Sequence, residues 1–441
     1  MSNLSAVKNA TSFEMIAKTF KGLESVLALE LEHLGAQNVS CLNRAVAFRG
    51  DMAMLYKANL WLRTALRILR PLSVFRCRNE VELYNGIMAV PWDSYFSVDD
   101  TLAIDTVVKS DHFPHSMYAG LKAKDAIVDQ FRNKYGRRPS VDTQNPTVQI
   151  HIHLMDSQCT VLLDSSGESL HRRGYRKNTN IAPLNEVLAA GMLLLAGWDG
   201  QCDFVDPMCG SGTLPIEAAL IAYNIPPGIF RGSFAFEKWK DFDKELFETI
   251  YNDDTTQRDF AHKIYGSDLS ATSVKIALEN ARMAAMHQKI IFSEKPFEEL
   301  VPPADGGLLV TNPPYGERMT MLDMGAFYTV IGNTLKHSWK GWDGWIISSN
   351  MEALKSVGLR PSEKIQLFNG ALECRFSHFR LFSGTEKEFK TQEIQQGIVP
   401  HTARREADPQ KIRRGKEGPS SANRESGRDP ARRRPKDRFH G

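Results

Sequence analysis

Between residues 13 and 70 the apolar positions follow a strand, helix, strand, helix rhythm. Leu23, Val26, Leu27 and Leu31 have the spacing of one helical face, predicting a helix over 22–34 that Gly35 ends. A strand over 46–48 and an amphipathic helix over 51–69 complete this first unit, 1–70, whose opening dozen polar residues are expected to be loose. In a second unit, 71–165, strands are predicted over 101–109, 148–154 and 159–164, and a helix over 116–135. A third unit, 166–384, begins with the basic connector HRRGYRK (171–177) and a helix that Pro183 opens and that runs to 195. From Cys202 onward, near-continuous apolar strands alternate with helices: 203–206, 264–267, 290–293, 307–311 and 345–348. That pattern predicts a parallel sheet covered on both faces. Residues 373–382 alternate as in a closing antiparallel strand pair. The fold class is therefore α/β, with two smaller α/β units ahead of a doubly covered sheet.

Charge changes the picture at the end of the chain. The net charge is only +3, yet residues 398–441 hold 13 Lys/Arg against 6 Asp/Glu, a net of +7, leaving −4 for the rest. Pro, Gly, Ser and charge dominate 385–441, which is expected to be a disordered basic tail. No run approaches the roughly 18 apolar residues of a membrane span, and no secretion signal opens the chain. The six cysteines form no CxxC pair. No metal and no membrane partner are expected, and a reducing cytoplasm is the expected location.

Candidate chemistry concentrates at strand ends. Asp203–Thr213 reads as strand, tight turn and helix start, with Gly210 and Gly212 letting backbone approach a ligand that a side chain would block. The turn lacks GxGxxG spacing and the GKS/GKT of a phosphate loop. A phosphate-free ligand with a carboxylate and an adenosine fits it better. Asp268 ends the next strand, where a carboxylate can accept both ribose hydroxyls. The blander reading is a plain strand–helix turn with Asp268 capping the helix that begins at Ser270.

Asn312-Pro313-Pro314-Tyr315 follows the fourth strand and faces the same crevice, because ligands of open α/β sheets sit at strand carboxyl ends. Its chemistry suits an exocyclic base amine, whose lone pair is delocalised. The Asn312 and Pro313 carbonyl oxygens can each accept one amine hydrogen, the prolines hold those acceptors rigid, and Tyr315 can stack on the base. Isolated, the tetrapeptide is as easily a rigid turn with a buried tyrosine. Cys209 and Cys374 are read as structural and not as methylase nucleophiles.

DPMCGSGTLPIEAA (206–219), YGSD (265–268) and NPPYGER (312–318), together with the connector LHRRGYR (170–176), resemble the THUMP-containing RNA guanine-N2 methyltransferases, and among them the N-terminal methyltransferase half of the RlmL-type enzymes. The likeness runs from about 13 to 382. It implies a ferredoxin-like domain (1–70), a THUMP RNA-binding domain (71–165) and a Rossmann-like class I methyltransferase domain (166–384). It also implies S-adenosyl-L-methionine as cofactor and N2-methylguanosine as product. The implied partner is 23S rRNA or a large-subunit precursor. Asp206, Pro207, Cys209, Gly210, Gly212 and Thr213 would then line the donor, with Asp268 on its ribose. Asn312, Pro313, Pro314 and Tyr315 would hold the base. Many relatives place an Asp after the third strand; here the stretch is Ser293-Glu294-Lys295-Pro296-Phe297, which leaves Phe297 to pack on the adenine. Some RlmL-type proteins carry a second methyltransferase domain, where this chain has its tail, so no second activity is expected.

Arg172, Arg173, Tyr175 and Arg176 lie between the binding and catalytic units, placed to guide an RNA backbone; the alternative is a solvated linker. The basic tail would add salt-sensitive, sequence-blind affinity, or merely solubility. Other readings remain at this point: a transfer-RNA substrate, a DNA adenine-N6 methyltransferase, or an RNA-binding assembly factor with vestigial catalysis.

Overall fold

The computed structural model describes residues 12–176, 184–314 and 321–382, so Tyr315 and the tail lie outside the described residues. The chain from Met1 to Phe382 forms one compact unit. Its N-terminal part runs β1 (Phe13–Lys18), α1 (Glu24–His33), β2 (Gln37–Leu42), β3 (Ala45–Gly50), α2 (Met52–Trp61), β4 (Arg67–Arg76), α3 (Glu80–Met88), β5 (Thr101–Lys109), α4 (Ser116–Tyr135), β6 (Ser140–Val141), β7 (Val148–Met155) and β8 (Gln158–Asp164).

All eight strands form one sheet, ordered β2-β3-β1-β4-β8-β7-β5-β6. The two expected N-terminal units share it, and the expected boundary at 70/71 falls inside β4. That strand pairs with β1 through Leu69, Ile68 and Arg67, and with β8 from Leu69 to Arg76. Pairing both edges of one strand removes two exposed sheet edges.

The expected helix over 51–69 stops at Trp61. Beyond it the Glu30 carboxylate accepts the N–H groups of Arg63 (2.8 Å) and Thr64 (3.0 Å), holding the backbone out of the helix and turning it into β4. Pro71 hides this strand in the sequence, since proline lacks a ladder donor; the register shift between Pro71 and Ser73 absorbs it. By contrast, α4 and β5 match the sequence expectation residue for residue.

The C-terminal part runs α5 (Glu186–Leu195), β9 (Phe204–Asp206), α6 (Thr213–Ala222), α7 (Lys244–Tyr251), β10 (Ile264–Asp268), α8 (Ala271–Met283), β11 (Ile290–Glu294), β12 (Gly307–Thr311), α9 (Met321–Ser338), β13 (Trp342–Ser348), α10 (Met351–Ser356), β14 (Glu363–Asn369) and β15 (Leu372–Arg380). The strands order as β11-β10-β9-β12-β13-β15-β14. Five are parallel, and β15 pairs antiparallel with both β13 and β14. The order reverses direction between β9 and β12, and such a switch point opens a ligand crevice at the strand carboxyl ends. Among the described residues no helix is long and apolar enough to cross a membrane.

The two parts are keyed together. Leu23 packs so closely on Gly191 of α5 that a Cβ there would stand 2.6 Å from it. A Cβ on Gly22 would meet the Gln366 carbonyl at 2.7 Å, and one on Gly228 the Leu60 carbonyl at 2.8 Å.

Candidate active site

The switch point brings Asp206 at the end of β9 beside Thr311 at the end of β12. Thr311 Oγ1 donates to Asp206 Oδ1 at 3.0 Å, and the Met208 N–H donates to the same oxygen at 3.2 Å. Asp206 is only 2% exposed. Burial, with Asp268 adding its charge, pushes its carboxyl up to about 7. Asp206 thus braces the carboxyl ends of β9 and β12. Sequence reasoning missed Thr311 as its partner; a polar residue closing an apolar strand was the available signal.

The loop after β9 is tied to β10 twice. The Cys209 N–H donates to the Ser267 carbonyl (2.8 Å), and the Gly210 N–H to Asp268 Oδ2 (2.9 Å). Asp268 Oδ1 accepts the Ser270 N–H at 2.9 Å, while Ser270 itself caps α8. Asp268 is half-buried, and each of its oxygens can take a further donor.

The two glycines differ. Gly210 (φ +53°) has open space where a Cβ would stand. Gly212 (φ +80°) faces α8, with Ala277 Cβ 3.0 Å from such a Cβ, so its small size serves helix packing. Pro207 and Cys209 are buried, and burial next to Asp206 and Asp268 pushes the Cys209 thiol well up, which suits a structural cysteine and not a nucleophile. Thr213 is buried too, its hydroxyl taken by Arg176. Phe297 sits in the core against Trp339, ring centroids 5.9 Å apart.

Asn312, Pro313 and Pro314 leave β12 at the crevice. Asn312 Oδ1 is buried and has no hydrogen-bond partner among the described residues. An acceptor left so costs about 1–3 kcal/mol, and such orphans mark places where a ligand completes the structure.

The connector corrects the sequence reading. Arg173 (2% exposed) and Tyr175 (1%) lie inside the protein and cannot meet an RNA backbone. Arg173 donates to the carbonyls of Leu170 and Arg63 and pairs with Glu217 of α6; the Tyr175 hydroxyl donates to Glu217 Oε1 at 2.9 Å. Arg176 is turned inward as well. Arg172, its side chain 66% exposed and paired with Glu168, is the one of the four on the surface. The missed signal was Glu217 itself, a lone acid in an apolar helix, which demands a buried partner.

The fold is that of a Rossmann-like methyltransferase domain preceded by an N-terminal part with its own sheet. Three domain patterns match the chain: the RlmL ferredoxin-like domain at 14–69, the THUMP domain at 77–164, and the RMKL-like methyltransferase domain at 173–378. The chain belongs to the methyltransferase family that combines these three domains. A candidate RNA methyltransferase of Synechocystis sp. is 39% identical over 377 residues, 85% of this chain and 98% of that protein. The ribosomal RNA large subunit methyltransferase K/L of Syntrophotalea carbinolica is 40% identical over 372 residues, 81% of this chain; the chain spans 52% of that longer protein. Two solved structures superpose with TM-scores of 0.76. One is SMU.472, a candidate methyltransferase with S-adenosylhomocysteine bound, 31% identical, covering 85% of this chain and 99% of that one. The other is a Listeria monocytogenes protein named as a candidate N6-adenine-specific DNA methylase, 29% identical, covering 84% of this chain and 97% of that one.

Proposed function

We propose that this protein transfers a methyl group from S-adenosyl-L-methionine to the exocyclic N2 of a guanine in large-subunit (23S) ribosomal RNA. The observation that carries the reading is the buried, unpartnered Asn312 Oδ1 at the carboxyl end of β12. Asn312 Oδ1 and the Pro313 carbonyl accept the two amine hydrogens, which turns the nitrogen lone pair toward the methyl group. The donor supplies an electrophilic methyl on a sulfonium. A nitrogen–carbon bond forms as the carbon–sulfur bond breaks, and the amine proton is released once the nitrogen is alkylated. Positioning supplies most of the acceleration. Asp268 receives the ribose hydroxyls, and Gly210 leaves room for the donor to lie against backbone. Tyr315 stacks on the base.

RNA is favoured over DNA by the THUMP match and by the relatives named for large-subunit rRNA. The Listeria neighbour's name favours N6 of adenine in DNA as the second reading. One experiment separates them: purified protein, labelled donor and unmodified 23S RNA, transfer RNA or DNA, with digested nucleosides identified by mass spectrometry. The expected label is N2-methylguanosine from 23S RNA. The same nucleoside from transfer RNA alone moves the substrate, and N6-methyladenine from DNA overturns the base assignment.

A further inference from the structure

Helix α6 starts at the end of the glycine loop, and Thr213 and Glu217 are its two polar residues. They lie four residues apart, on one face. That face meets the connector. Arg176 Nη2 donates to Thr213 Oγ1 at 2.7 Å and to the Leu184 carbonyl at 2.8 Å, and its Nε lies 3.3 Å from Glu186 Oε1. One turn further along, Tyr175 and Arg173 hold Glu217, and Arg173 reaches back to the Arg63 carbonyl in the N-terminal part.

This arrangement is a poor way to gain stability. A cation beside the first turn of a helix opposes the helix dipole. Buried ion pairs roughly break even against apolar packing, and Arg63 Nη1 and Glu217 Oε2 have no hydrogen-bond partner among the described residues. What the network does supply is geometry: the guanidinium fork of Arg176 ties the first residue of α6 to Leu184 and to Glu186 at the start of α5.

We propose that Arg176 is a positioning residue for the methyl donor: by holding Thr213 it fixes the start of α6, and with it the glycine loop, against the connector from the RNA-binding part. The inference rests on the donor reading above. Gly212 at the helix start has no side chain to cap α6, so the Thr213 anchor restrains the loop where Asp268 does not reach. The Arg176 guanidinium is engaged by protein groups, Thr213, Leu184 and Glu186.

The test is a double-mutant cycle read by calorimetry with S-adenosylhomocysteine. Arg176→Met and Thr213→Val each remove the bond from one side, and Thr213→Val keeps the side-chain shape should Arg176→Met fold poorly. Each single variant is expected to raise the S-adenosylhomocysteine Kd roughly 5–10-fold, and the double variant no more than the worse single, because both act through one bond. Affinity for 23S RNA is expected to stay at the wild-type value, which a general loss of structure would not leave. Arg172→Ala, next door on the surface, is expected to leave the donor Kd unchanged. Unchanged Kd values, fully additive effects, or a parallel loss of RNA affinity overturn the inference alone. Wild-type protein that does not bind S-adenosylhomocysteine overturns the donor reading together with it.

Discussion

Asn312 and Asp206 stand at neighbouring strand ends and lead to opposite kinds of prediction. On the proposed reading, Asn312→Ala removes a buried, unpartnered acceptor that would meet the base only when substrate is bound. Turnover is expected to fall about 100-fold or more, the range for losing one preorganised polar group at a reacting centre, with the S-adenosylhomocysteine Kd unchanged. Single-turnover kinetics beside calorimetry check it, and unchanged turnover removes Asn312 from the site. Asp206 affects stability. Its folded carboxyl titrates near 7, above its ordinary value of 3.8. The folded protein therefore keeps a proton between about pH 4 and 7 that the unfolded chain has lost. Stability from this group is fully present at low pH and is lost as pH rises through about 7. Asp206→Asn keeps the acceptor for Thr311 and Met208 and removes the charge. Its stability relative to wild type is expected to rise with pH, by a few kcal/mol between pH 5 and 8. Denaturant unfolding at both pH values measures this, and a pH-independent difference refutes it.

At the scale of elements, the loop between β9 and α6 separates two uses of glycine. Ala at Gly212 takes on a strained positive φ, a cost of about 1–2 kcal/mol, and presses on Ala277 of α8. It should lower stability more than donor affinity. Ala at Gly210 has the same backbone cost but meets no protein atom, so its methyl stands in open space beside the loop. It should lower donor affinity by more than it lowers stability. Denaturation and calorimetry on both variants decide the matter, and equal behaviour would mean that the loop does not border the donor. These two glycines look alike in the sequence, because the difference lies in which helix comes to rest beside each one. The same reasoning separates the legible elements from the missed ones. The central parallel strands could be read because their apolar runs are nearly continuous, and α4 because it buries one periodic face. β4 was hidden by Pro71, β2 is mostly exposed and so carries no apolar alternation, and α3 is short. The placing of Asp268 at the end of β10 and of Asn312 just after β12 was legible because strand ends are set by local pattern. The inward turn of Arg173 and Tyr175 depended on Glu217, 42 residues beyond Tyr175, and no local pattern announces such a pairing.

For the molecule as a whole, the keyed contacts at Leu23, Gly22 and Gly228 hold the RNA-binding part at one setting against the catalytic sheet. Residues up to Phe382 form a compact unit by themselves. The excess positive charge, on which sequence-blind RNA binding would draw, lies beyond that unit, in the net +7 of residues 398–441. Cutting the chain after Gly384 is therefore expected to leave the melting temperature and the S-adenosylhomocysteine Kd unchanged. Affinity for 23S RNA should fall, and the slope of log K against log salt should become shallower by about 0.7–0.9 for each phosphate that the tail no longer neutralises. The two lengths should differ most at low salt and converge as salt rises, because screening removes the tail's contribution first. Filter binding across a salt series on both lengths measures the slope directly. Equal slopes and equal affinities would confine RNA binding to the compact unit, and the exposed Arg172 would be the next cation to test there.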